Sequence, residues 1–137
     1  MKLTPYLLFD GTAREAMHFY QSVFGGDLSL TTVGDSPMRA SFPVEAHERV
    51  VNARLSSAIV DLSASDWLHP TERPLVGNTI CLYLSQGTVA ETRAVFQKLA
   101  QKAKVTDPLG DQPFGVYGAM NDDFGVRWMF HAVPMDQ

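Results

Sequence analysis

GTAREAMHFYQ, from Gly11 to Gln21, and GTVAETRAVFQ, from Gly87 to Gln97, decide how this chain is read. The two align without gaps at an offset of 76 residues (87 − 11 = 76), placing Gly11 on Gly87, Thr12 on Thr88, Glu15 on Glu91, Tyr20 on Phe96 and Gln21 on Gln97. A repeat of this kind marks a duplicated supersecondary unit. Each T-x-x-E reads as a capping box: the threonine hydroxyl accepts the amide of the third helical residue and the glutamate reaches back to the threonine amide. Apolar residues follow at helical spacing. Ala13, Ala16, Met17, Tyr20, Val23 and Phe24 form one stripe; Val95, Phe96, Leu99, Ala100 and Ala103 form the other. Helices are therefore predicted over 12–24 and 88–102, the first closed by Gly25-Gly26.

Around the first helix, strands are expected at 3–9, 28–33, 50–55 and 58–63; around the second, at 79–84, 104–106, 115–120 and 126–132. Each half thus reads strand, helix, then three strands. The fold class is α+β, with two βαβββ modules at about 1–64 and about 78–134, joined by a linker at 65–77 within one domain spanning 1–137. A four-stranded sheet with one helix is covered on one face only, so two such halves side by side can curve into an eight-stranded cup open to a ligand. The segment 34–49, GDSPMRASFPVEAHER, is polar with two prolines and reads as a surface loop of the functional or mobile kind.

The last predicted strand pair, YGAMNDDFGVRWMFH from Tyr117 to His131, turns at Asn121–Gly125. Its second strand alternates. Val126, Trp128 and Phe130 suit a core, while Arg127, Met129 and His131 suit the wall of a pocket. Arg127 is the cation that could hold a carboxylate or phosphate in the cup, or else pair with Asp122 or Asp123. His131 and Asp61 are the candidates for moving a proton. Met129, Asn52, Phe9, Thr79 and Tyr117 join Arg127 as expected ligand-binding residues. Cys81, on a central strand, reads as structural. His18, His47 and His69 fit no local metal motif, falling on a polar helix side, in the loop and in the linker.

Composition limits the partners. The chain has 137 residues, 45% apolar, and a net charge of −4 with no basic run, so neither nucleic acid nor an anionic membrane is expected. One cysteine forms no intrachain disulfide, and the short apolar start MKLTPYLLFDGT suits neither a signal peptide nor a membrane span; a cytoplasmic protein is expected. There is no G-x-S-x-G elbow, and no Gly-rich strand–turn–helix that would hold a nucleotide-like cofactor, so no cofactor is expected.

Two βαβββ modules of this size resemble the vicinal oxygen chelate superfamily of glyoxalases, bleomycin-resistance proteins and extradiol dioxygenases. Within it, PYLLFDGTAREAMHFYQSVFGG, FGVYG and DDFGVRWMF resemble the PhnB-like branch. The resemblance places the superfamily's four metal ligands at Pro5, near Ser63, at Thr79 (or Cys81) and at Met129, and a branch histidine at Asn52. None of these residues is a good ligand for a divalent ion, which implies that no metal is held. The expected function is binding of a small anionic or aromatic molecule in the cup. A metal-free lyase or isomerase is the alternative, and a metal-dependent enzyme the less favoured one. The resemblance, with the free strand edges, also implies a homodimer, bordered by Trp67, Leu68 and the 34–49 loop.

Overall fold

The structure, a computed structural model, describes residues 1–134. The chain forms two compact units, Met1–Leu75 and the remainder from Val76. The first contains β1 (Tyr6–Phe9), α1 (Ala13–Phe24), β2 (Asp27–Thr32), β3 (Val50–Ser56) and β4 (Asp61–Asp66). The second contains β5 (Cys81–Leu84), α2 (Val89–Ala100), β6 (Ala103–Gln112), β7 (Gly115–Asp122) and β8 (Arg127–Ala132). Their sheets have the same topology, β1-β4-β3-β2 and β5-β8-β7-β6. The first strand of each runs parallel to the last, and the other pairings are antiparallel. The duplicated βαβββ architecture is therefore present.

Each helix covers one face of its own sheet. In the first unit, Ala13, Ala16, Met17, Tyr20, Val23 and Phe24 are buried, as are Phe9, Ala53, Leu55, Leu62 and Ala64 on the strands. In the second, Phe96 meets Phe130 edge-on at 5.0 Å, with Leu99, Met120 and Trp128 buried around them. Full burial of a side chain such as Met17, Leu55 or Phe130 contributes about 1.5–3 kcal/mol, so these stripes fix which side of each sheet is closed.

Several boundaries differ from the sequence reading. β1 begins at Tyr6, because Pro5 cannot donate to the ladder and contributes only its carbonyl, to the Ser63 amide. β4 runs over 61–66 instead of 58–63. The Ser57 hydroxyl accepts the amides of Ile59 and Val60 and makes 57–60 a turn despite its apolar residues. The strand therefore takes in Ser65 and Asp66, which the reading gave to the linker. β6 extends to ten residues where three were expected, with two irregularities in register around Asp107 and Pro108. An edge strand accommodates proline and bulges that a central strand would not.

The capping boxes also diverge. Thr88 accepts the Glu91 amide at 3.0 Å, as the repeat predicts. Thr12 makes no such bond. Asp66, 4% exposed at the end of β4, replaces it: one carboxylate oxygen accepts the amides of Gly11 and Ala13 at 3.0 Å each, and the other accepts that of Val50 at 2.8 Å.

The segment after β2 is more ordered than a mobile loop. Two short 3-10 turns, Arg39–Ser41 and Val44–Ala46, lie within it. Its neck is closed by the Val33 amide on the Arg49 carbonyl and the Gly34 amide on the His47 carbonyl, at 2.8 and 2.9 Å. Gly34 permits that approach, since a Cβ there would lie 3.1 Å from the His47 oxygen.

Candidate functional site

On the face of the second sheet away from α2, Tyr83 of β5, Tyr117 of β7, and Met129 and His131 of β8 surround a recess with Phe114, which precedes β7. The recess has a volume of about 320 Å³. Strand alternation selects these residues: Leu82, Leu84, Trp128 and Phe130 face the core, so Tyr83, Met129 and His131 face the other way. The rings brace one another. Phe114 meets Tyr117 edge-on at 5.8 Å and lies 5.8 Å from His131, while Tyr83 stacks on His131 at 6.5 Å with only 12° between planes.

His131 is held at both nitrogens. Its Nε2 lies 2.8 Å from the Phe114 carbonyl oxygen, and its Nδ1 3.1 Å from the Tyr83 hydroxyl. A carbonyl only accepts, so Nε2 carries a proton. In the neutral ring Nδ1 is then the acceptor and Tyr83 the donor. Gly115 makes this possible. It has φ +122°, and a Cβ there would lie 2.6 Å from the Ala132 oxygen and 3.1 Å from His131 Nε2. The same Tyr83 and His131 also border a neighbouring groove of about 710 Å³ formed with Ser85, Gln86, Gly87 and Thr88.

Arg127, read either as a cation for a bound anion or as a partner of Asp122 or Asp123, is engaged by its own sheet. Its Nη1 donates to Thr106 Oγ1 and Asn121 Oδ1 at 3.1 Å each, and Nη2 lies 3.6 Å from Asp107. The ion pair goes to Asp107 on β6, across the intervening strand β7, not to Asp122 or Asp123. Asp122 is instead buried, accepting the Trp128 indole N–H at 2.8 Å and the amides of Phe124 and Val126.

The remaining expected residues lie apart from the recess. Thr79 is exposed in a bend before β5. Phe9 is 3% exposed and belongs to the core of the first unit. Asn52 is exposed on β3. Asp61 pairs with Arg54 and Lys2 at 3.1 and 3.0 Å, and the hydrogen bonds from Arg54 and then Lys2 hold its carboxyl below the ordinary value of 3.8. It stays ionised near neutral pH and is poorly suited to deliver a proton. The structure thus gathers Tyr117, Met129 and His131, and adds Tyr83 and Phe114. Tyr83 was readable from strand alternation next to Cys81; Phe114, in FGVYG, carries no periodic signal.

The residues at the superfamily's metal positions do not fit an ion. Pro5, Ser63, Thr79 (or Cys81) and Met129 present neither imidazole nor carboxylate, and no group of three or more His, Cys, Asp or Glu among the described residues could hold one. No helix among them is long and apolar enough to cross a membrane.

A helix-covered βαβββ sheet built twice from one chain defines a protein of the glyoxalase/bleomycin resistance fold. A solved glyoxylase/bleomycin resistance protein/dioxygenase domain from Frankia sp. shares it, with a TM-score of 0.65 over 97% of each chain at 14% identity. Within that fold, the family model described as 3-demethylubiquinone-9 3-methyltransferase matches residues 1–130, and the chain belongs to this PhnB-like family. Three relatives are similar along nearly their whole length. The crystal structure of protein PA1353 from Pseudomonas aeruginosa is 32% identical, covers 98% of both chains and has a TM-score of 0.85. A putative 3-demethylubiquinone-9 3-methyltransferase, PhnB protein, from Bacillus cereus is 28% identical with a TM-score of 0.74, covering 97% of this chain and 100% of that one. Protein YjdN of Escherichia coli K12 is 28% identical over 97% of this chain and 96% of its own.

Proposed function

We propose that this protein is a PhnB-like binding module that holds a small aromatic molecule, bearing an acidic group or not, in the recess of Tyr83, Phe114, Tyr117, Met129 and His131, without a resident metal or cofactor. The recess itself carries this reading: three aromatic rings, an imidazole and a thioether line an open recess of about 320 Å³, and such walls gain from stacking and from the adaptable methionine. Methyl transfer, which the family's description names, finds no support in the residues. The turns from first strand to helix, Asp10-Gly11-Thr12 and Ser85-Gln86-Gly87-Thr88, lack the repeated glycines that would admit a nucleotide-like cofactor. The test is thermal unfolding with benzoate, indole and catechol at millimolar concentration. At least one should raise the midpoint of the native protein, and Tyr117→Ala with Phe114→Ala should abolish the rise. No rise with any of the three overturns the reading.

The Tyr83–His131 pair favours a second reading, a metal-free proton transfer. Nδ1 could take the Tyr83 proton as the tyrosine oxygen acts on a bound carbon acid, while Nε2–H stays anchored on the Phe114 carbonyl. Loss of solvent-proton exchange from a bound ketone in both Tyr83→Phe and His131→Gln would support it; full exchange in either would refute it. We further infer a homodimer in a reducing cytoplasm. Leu3, Tyr6 and Leu8 are exposed at and before the edge strand β1, as a subunit interface would require. Light scattering tests it, with a mass of one 15.1 kDa chain as the contrary result. Trp67 already serves its own unit, its indole N–H donating to the Glu72 carbonyl, so Trp67→Ala should affect folding as well as any association.

A further inference from the structure

We infer that the first unit carries a separate binding site for a small zwitterion, with an oxyanion at one end and an ammonium group at the other. The site is a recess of about 510 Å³ bounded by Arg14 at the start of α1, Leu30 and Thr32 of β2, and the segment from Gly34 to Glu48. Leu30 and Thr32 alternate with exposed residues on β2 and share the half-buried side of that strand with Leu28.

The charges in this recess set its chemistry. Two guanidinium groups, Arg14 and Arg39, and two carboxylates, Asp35 and Glu48, line it. All four are exposed, and none makes an ion pair with another described residue, so each can meet a ligand. Arg14 has no hydrogen-bonding partner among the described residues. Arg39 spends one Nη1 donor on the Gly34 carbonyl at 3.0 Å, which fixes its head and leaves its other donors open. A plain anion would meet the two carboxylates, and a plain cation the two arginines. A zwitterion satisfies both sets, its oxyanion taken by the guanidinium forks and its ammonium by Asp35 and Glu48.

The recess is preorganised. The Gly34 and His47 backbones close its neck, and His47 latches the two 3-10 turns: its Nε2 lies 3.0 Å from the Arg39 carbonyl oxygen and 3.1 Å from that of Phe42. Both partners only accept, so Nε2 is the shared donor.

The experiment is calorimetric titration of the native protein with glycine, 4-aminobutanoate and 6-aminohexanoate, beside butanoate and butylammonium as single-charge controls. At least one amino acid should bind about tenfold more tightly than either control. Arg14→Gln and Asp35→Asn, both exposed and free of side-chain partners, should each cost about tenfold while circular dichroism stays unchanged. Butanoate binding as tightly as the amino acids would make this a simple anion site. That outcome, wild-type affinity in both variants, or no heat from any of the three amino acids would each overturn the proposal.

Discussion

The two halves of this chain begin their helices with the same four-residue motif and hold them in different ways. In the second half Thr88 caps α2 from within the motif. In the first half Thr12 is idle, and Asp66, more than fifty residues away, accepts two amides at the start of α1 and a third at the start of β3. The corresponding core-facing position on β8 is Phe130, packed on Phe96. One copy thus fastens its helix with a local bond and an aromatic pair. The other uses a buried carboxylate that ties helix, strand and strand end together. A motif that recurs in sequence supplies the possibility of a bond, and the tertiary partner decides whether it forms.

The largest expected effect is at Asp66. Asp66→Ala would leave the buried amides of Ala13 and Val50 unsatisfied along with that of Gly11, and should cost about 3–5 kcal/mol in denaturant unfolding. A loss below about 1 kcal/mol would mean that Thr12 takes over, and the contrast between halves would vanish. The next effect is the threonine pair itself. Thr88→Ala should cost about 1 kcal/mol and Thr12→Ala less than about 0.5. Equal losses would restore the symmetry that the repeat suggests.

The open faces of the sheets extend the contrast. In the first, one carboxylate, Asp61, is flanked by two cations; in the second, one cation, Arg127, is held by Asp107, Asn121 and Thr106. Asp107→Asn should cost about 0.5 kcal/mol, because Asp107 is half exposed and two neutral acceptors keep Arg127 in place. The smallest effect is Asp61→Asn, and its signature is pH. The Asp61 carboxyl titrates below its unfolded value of 3.8, so its contribution is present above that value and disappears as pH falls through the folded one. Native protein and Asp61→Asn should therefore converge in stability in acid and separate slightly at neutral pH. A gap that widens in acid would contradict this sign.

Both helices, the order of strands and the pocket-facing parity of Met129 and His131 were legible because each rests on a local period: 3.6 for α1 and α2, 2 for β8. Asp66 was not, since a single aspartate after a run of small residues resembles the start of a linker until the helix it serves is in place. Ser57 misled for the opposite reason, a local hydroxyl bond overriding an apolar run. Arg127 was placed on the correct face, but its partners, Thr106 and Asp107, lie on β6, whose length could not be read through Pro108. Tyr117, Met129 and His131 were legible as candidates; the recess also needed Phe114, which precedes its strand and is set by Gly115.

Pro108 within β6 has a consequence for the protein outside its folded state of isolation. β6 forms one border of its sheet, and a ten-residue border strand would ordinarily serve as a template on which a foreign chain could grow. This one is a damaged template. Pro108 offers no N–H, and the register breaks on either side of Asp107 interrupt the regular spacing that an incoming strand must match. The longest strand among the described residues is thereby a poor seed for fibrils, so replacing Pro108 with a residue that restores the missing donor should shorten the lag before aggregation at elevated temperature, even where it leaves the native unfolding midpoint unchanged.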